Sequence, residues 1–197
     1  MSPPGKQNTA AYTDPAVLKH KLERAALPGA PTDQPYTPAC VFLLLFNREA
    51  PCILAIQKTD TQGYRWRNQI ALPGGHVSDE DATPVDTVFR ELEEELGIDR
   101  GQVDFIGSMG HFQTQKNTDI EVFLGIWAGE KPIRFDPGEI AGVLEIPLPE
   151  LFQLHADSGF RGENPQDCDL IYPVSGRVIW GVTARILHFF MELFDPV

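Results

Sequence analysis

Two apolar runs on either side of a short polar turn constrain the fold of this chain most. Residues Ala39 to Phe46 are almost entirely apolar, a turn follows from Asn47 to Ala50, and Cys52 to Ile56 is apolar again. That order is the signature of a buried β-hairpin. Further strands are predicted over Val103 to Ile106, Ile120 to Trp127 and Val143 to Ile146, with turn residues such as Asp136, Pro137 and Gly138 between them. Helices are predicted from Pro84 to Leu96 and from about Ile179 to Phe194. Strands interleaved with only a few helices, some in hairpin order, point to a mixed-sheet α/β or α+β sandwich. Residues 1–38, rich in Pro, Thr, Gln and Gly, hold one helical stretch from about Pro15 to Ala26, on which Val17, Leu18 and Leu22 share a face. They are expected to form an arm that packs late. The segment from His155 to Gly176 carries five Gly and Pro residues and is expected to be a loop, long enough to be functional or mobile.

A chain of 197 residues buries enough surface for one domain without disulfides. Its cysteines, Cys40, Cys52 and Cys168, are odd in number and lack C-x-x-C spacing, which speaks against a disulfide scaffold or a zinc finger. No run approaches the roughly 18 apolar residues of a membrane span, and the N-terminus lacks the charged-then-apolar order of a signal peptide, so a cytoplasmic protein with no membrane partner is expected. The 16 basic and 28 acidic side chains leave a net charge of −12, and the cations do not cluster. Nucleic acid is therefore not an expected partner. A phosphate substrate would need its charge neutralised by something else, and a divalent metal held by carboxylates would do so.

The predicted helix from Pro84 has strong boundaries. Thr83 can cap the first free amides, proline fits the first helical position, and Gly97 stops the helix. Val85, Val88, Phe89, Leu92 and Leu96 fall on one stripe that must face a core. Glu91, Glu94 and Glu95 then project from one neighbouring face at three- and four-residue spacing, where like charges repel. Three glutamates on an arbitrary helix are usually just a solvated face. Here, however, Leu72, Pro73, Gly74, Gly75 and His76 lie just upstream, and adjacent glycines let backbone carbonyls approach a ligand closely. Hard cations favour such oxygen donors.

The order from Gly75 to Ile98 resembles the signature of the Nudix hydrolases, whose second half reads Arg-Glu-apolar-x-Glu-Glu-x-Gly-apolar and is matched in full by Arg90 to Ile98. Asp81 stands where most members have glutamate, with one extra residue before Arg90, a feature of the coenzyme A pyrophosphatase-like branch. Three more stretches resemble that branch: Asn68 to Gly75, Glu139 to Leu148, and Ile179 to Leu187. Departures are Asn68 in place of glycine, Lys58 and Thr59 in place of Arg-Ser, and Tyr64 where an arginine is expected.

The resemblance implies a Nudix α/β/α sandwich with a mixed sheet over residues 39–197, preceded by the arm at 1–38. It implies Mg2+- or Mn2+-dependent hydrolysis of a nucleoside diphosphate linked to another moiety. Coenzyme A or an acyl-coenzyme A is the leading substrate class, the alternatives being another nucleotide conjugate or a non-catalytic nucleotide-binding module. Expected metal ligands are Glu91 and Glu95, with Glu94 and the Gly75 carbonyl. Glu94, Glu95 and Arg90 form the catalytic set, Arg90 orienting the site through Asp81 rather than pairing with Asp86 or Glu94 as an ordinary surface residue. Glu93 is expected to be solvated. The general base stays open among the helix glutamates, Glu121 and Glu139, and His76 and His111 are left aside as structural or surface residues. Lys58, Arg65, Arg67 and Lys116 are candidate phosphate contacts, and Tyr64, Trp66 and Phe112 candidate adenine stackers. Trp180, Val178, Val182, Ile186, Phe189, Phe190 and Leu193 are assigned to packing. A homodimer through the hairpin or the arm is also possible on sequence grounds.

Overall fold

The hairpin forms as β1 (Thr37–Asn47) and β2 (Pro51–Lys58), antiparallel, with Asn47 opposite Pro51 and Leu44 opposite Leu54. The structure is a computed structural model that describes residues 12–33, 35–60, 68–129, 131–163, 165 and 169–194. Side chains alternate across a strand, so an apolar run longer than a few residues must be covered on both sides. Leu43, Leu45, Ile53 and Ala55 enter one core and Phe42, Leu44, Phe46, Leu54 and Ile56 enter another. The first core is closed by α1 (Pro15–Arg24), α3 (Leu148–Asp157) and α4 (Gly181–Phe194), the second by α2 (Pro84–Leu96). The result is the expected α/β/α sandwich about a mixed sheet.

The remaining strands are β3 (Ile70–Ala71), β4 (Gly74–His76), β5 (Val103–Gln113), β6 (Thr118–Trp127) and β7 (Ile140–Pro147). β6 lies parallel to β1 and antiparallel to β5, while β7 lies antiparallel to β2. β1 and β2 pair closely only near their turn and then diverge. The stretch from β3 to β4 fills the gap, β3 pairing with β2, β4 with β1, and the Phe42 amide donating to the Pro73 carbonyl at 2.8 Å. The double-glycine segment is therefore an inserted part of the sheet. Other strands pair with both edges of the hairpin, so its exposed side chains lie at its two ends, Thr37 and Pro38 at one and Asn47 to Glu49 at the other.

Several local expectations are also revised. Leu18 and Leu22 of α1 are buried, but Val17 is 37% exposed, because residue 17 sits 100° round the helix from residue 18. The predicted loop over 155–176 is partly helix and partly a small hairpin. Leu148, Leu151, Phe152 and His155 recur at helical spacing and are all buried on α3, and prolines confined to the start of a helix do not interrupt it. β8 (Tyr172–Val174) and β9 (Arg177–Ile179) are joined by Ser175 and Gly176, at φ +51° and +73°, the two-residue turn that hairpins favour. The last helix begins only at Gly181, so Val178 and Trp180 precede it, and they are 52% and 53% exposed instead of packed. No helix among the described residues is long and apolar enough to cross a membrane.

Leu44 is fully buried between the sheet and α2. Leu44→Ala should lower stability by about 3 kcal/mol, within the range for leucine truncations that leave a cavity, and urea denaturation followed by circular dichroism measures it.

Candidate metal and catalytic site

Helix α2 is fixed at both ends and along one side. The Thr83 hydroxyl accepts from the Asp86 amide at 3.2 Å, and Gly97, at φ +64°, returns its amide to the Glu93 carbonyl at 2.9 Å. Val88, Phe89, Leu92 and Leu96 are buried against the sheet, Phe89 meeting Phe42 edge to face at 4.9 Å between ring centres. With the apolar stripe locked, the rotation of the helix is set, and Glu91 and Glu95 are aimed at β4.

The glycines of β4 make this approach possible. Gly74 and Gly75 pair with Val41 and Cys40 on β1. Gly74 holds φ +143°, and a Cβ there would lie 2.1 Å from the Cys40 carbonyl oxygen, so only glycine fits. A Cβ on Gly75 would lie 2.4 Å from the Glu91 carboxyl carbon. The missing side chain leaves room beside that carboxylate.

The three glutamates differ in burial and in partners. Glu95 is buried. Its Oε1 accepts from Lys58 Nζ at 2.5 Å and its Oε2 from the Gly74 amide at 2.9 Å. Burial pushes the Glu95 carboxyl up, and Lys58 and the Gly74 amide pull it back only in part. Glu91 is half-buried, Glu94 is open to solvent, and Glu93 is exposed as expected. Arg90 Nη1 joins Glu91 at 2.9 Å and Glu94 at 3.0 Å. Its other face grips Asp81 with two bonds of 3.0 Å, and Nη2 reaches the His76 carbonyl at 3.4 Å. Asp86 is paired with Arg100 instead. Arg90 is thus the hub between the loop and the helix.

Asp81 also accepts from the Ser78 amide at 3.0 Å and the buried Thr87 hydroxyl at 2.9 Å, an anchor that the sequence pattern did not single out. Hydrogen bonds from Arg90 first, then from Ser78 and Thr87, hold its carboxyl well below the usual range. A second addition comes from the sheet. Gly75, Cys40, Glu121 and His111 lie in one row across four neighbouring strands, β4, β1, β6 and β5. Burial, with the field of Glu121, Asp81 and Asp119, pushes the Cys40 thiol up to about 12. His111 Nδ1 meets Asp119 at 2.8 Å, whereas the Glu121 side chain has no hydrogen bond or ion pair to a described residue. Strand register, invisible in a single sequence, brings Glu121 to this face.

Other candidates lie elsewhere. Phe112 is buried, its ring centre 5.6 Å from that of Phe189, so it belongs to the core and is no stacking platform. Lys116 is on the exposed β5–β6 turn, and Glu139 lies at the start of β7, where its carbonyl accepts from the Thr59 amide. Arg65, Arg67, Tyr64, Trp66 and Cys168 fall outside the described residues.

A family model described as the NUDIX domain matches residues 36–165, most of the chain. The chain belongs to the Nudix family. Curated relatives are Nudix hydrolases named NudL, described as uncharacterized. The one from Photorhabdus laumondii is 27% identical over 154 residues, 76% of this chain and 81% of the relative. The one from Yersinia pestis is 26% identical over 152 residues, 76% of each chain. Among solved structures, a MutT/nudix family protein from Enterococcus faecalis aligns with a TM-score of 0.51 and 21% identity over 93% of this chain and 75% of that one. The protein DR0079 from Deinococcus radiodurans aligns at 0.52 and 15% over 80% and 86%. These two share the Nudix fold. This Nudix protein is a hydrolase of pyrophosphate bonds, a class that generally uses divalent metal ions. The oxygen-only donor set of Glu91, Glu94, Glu95 and the Gly75 carbonyl, with the space left by the absent Cβ, fits a hard cation.

A carboxylate whose folded value is depressed stabilises the fold above its ordinary titration range and loses that contribution as pH falls through it. Asp81→Asn should therefore lower the urea midpoint at pH 7, with the gap to the parent closing as the pH drops below about 4. Two denaturation curves that stay equally far apart from pH 7 to pH 3 would contradict the assignment.

Proposed function

We propose that the chain hydrolyses the diphosphate bond of coenzyme A or an acyl-coenzyme A, releasing adenosine 3′,5′-bisphosphate and a 4′-phosphopantetheine. Asn68 carries this reading. The lead-in of the coenzyme A branch has glycine at that position, and Asn68 holds φ +57°, a left-handed conformation that glycine adopts freely and asparagine tolerates better than most residues. The backbone requirement of the motif is kept although its residue has changed. The rest of the lead-in supports the same reading, because it forms the inserted β3–β4 segment, and the later resembling stretch, Glu139 to Leu148, forms β7 beside β2.

Glu91, Glu94, Glu95 and the Gly75 carbonyl would hold Mg2+ or Mn2+. When bound, the cation neutralises the diphosphate and polarises the scissile phosphorus–oxygen bond. Arg90 keeps the Glu91 and Glu94 carboxylates in place by tying them to Asp81, so little reorganisation is needed when substrate arrives. The attacking water must give up a proton. Two carboxylates are suited to take it: Glu95, buried against Lys58, and Glu121, which is not engaged with a described residue. Lys58, a candidate phosphate contact, is joined to Glu95 in this arrangement, so it can meet a phosphate only by sharing or leaving that partner.

Purified protein in Mg2+ or Mn2+ should cleave coenzyme A faster than dephospho-coenzyme A, a dinucleotide or a nucleotide sugar, with products resolved by chromatography. Preference for either of the last two would reject the substrate class while keeping the hydrolase. Cleavage of none would favour a binding module. Glu95→Gln should lower kcat by about 100-fold or more, and a comparable loss in Glu121→Gln with metal affinity unchanged would make Glu121 the proton acceptor.

A further inference from the structure

On the sheet face away from α2, the described residues hold one other group of metal-ligating side chains: His155 on α3 with His188 and Glu192 on α4. One ligand atom from each lies within 4.8 Å of the others. His188 and Glu192 are one helical turn apart and so share a face, and His155 is the buried end of the apolar stripe of α3.

The group is pre-arranged. His155, 1% exposed, meets Glu192 Oε1 through Nε2 at 2.7 Å and the Tyr172 hydroxyl through Nδ1 at 3.0 Å. The Gly162 amide donates to both oxygens of Glu192 at 3.0 Å and fixes the carboxylate. The His188 ring lies 5.1 Å from that of His155 between centres. His188 is 9% exposed, and its Nδ1 is fully buried without a hydrogen-bond partner. A histidine–glutamate clamp between the two helices would need only His155 and Glu192. It leaves the buried Nδ1 of His188 unexplained, and a buried polar atom without a partner is costly.

We propose that His155, His188 and Glu192 form a second metal site, for Zn2+ or a similar borderline transition metal, separate from the carboxylate site on the other face of the sheet. Two imidazoles and one carboxylate are a known zinc donor set that keeps a fourth position open, whereas Mg2+ prefers oxygen alone. The buried Nδ1 of His188, with no hydrogen-bond partner, is the ring nitrogen left over to meet a metal. Tyr172 would serve as the outer partner that orients His155. Binding at His155 Nε2 needs the ring proton on Nδ1, where the Tyr172 oxygen can accept it. Tetrahedral zinc places its ligand atoms about 3.3 Å apart, and small side-chain rotations would close the group to that size. The bound ion would then clasp α3, α4 and the Gly162 turn together.

Co2+ titrated into the full chain in excess Mg2+ tests this, because Mg2+ occupies oxygen ligands but competes poorly for imidazole. One equivalent should bind with visible ligand-field absorption, Zn2+ should displace it, and Glu95→Gln should leave both results intact. His188→Gln should abolish the absorption while the far-ultraviolet circular dichroism is kept. If that variant does not fold, Glu192→Gln, which preserves size, should weaken Co2+ binding at least about tenfold. Absence of a stoichiometric Co2+ site in Mg2+, or a signal unchanged in the folded variants, would overturn the proposal and leave the cluster as a hydrogen-bonded clamp.

Discussion

Stacked carboxylates repel, and the acidic end of α2 exists only because two cations hold it together. Arg90 draws Asp81, Glu91 and Glu94 onto one guanidinium, whose planar fork suits several carboxylates at once. Lys58 does the same for Glu95 from the sheet, in an environment dry enough for burial to dominate that carboxyl's titration. The helix is thereby tied to a loop by one cation and to a strand by the other. Its apolar stripe decides which way it faces, and these two contacts decide how firmly its acidic side is held.

Much of this architecture is legible in the sequence because it follows from local rules. The unbroken apolar runs of β1 and β2, the Thr83–Pro84 start and Gly97 stop of α2, and the grouping of glycines with glutamates are all short-range patterns. The family signature likewise marks Arg90 and its neighbours. Long-range effects were not legible. Nothing near Glu121 signals that β6 lies parallel to β1 and carries it to the glycine row. Nor does spacing on a helix reveal that Glu95 would be buried while Glu94, its immediate neighbour, stays wet. The apolar spacing of α3, Leu148, Leu151, Phe152 and His155, is by contrast a short-range pattern present in the sequence.

The sheet also separates two kinds of chemistry. The α2 face gathers oxygen donors, the carboxylates of Asp81, Glu91, Glu94, Glu95 and Glu121 beside the glycine segment. The α3–α4 face gathers imidazoles, a phenol and one carboxylate around aromatic packing, with His155 ringed by Phe160, Tyr172 and His188. Both draw on the same central strands for support, since Leu43 and Leu45 face one side and Phe42 and Leu44 the other.

The splice of residues 70–76 between β1 and β2 has a consequence for how such a chain can vary. Adding or removing one residue there would reverse which side each following side chain faces and carry the Gly74 amide away from Glu95. The Asn47–Ala50 turn, at the exposed tip of the hairpin, bears no such restriction. Length is therefore tightly controlled in the stretch leading to Thr83, and insertions in this protein are expected at the hairpin tip instead.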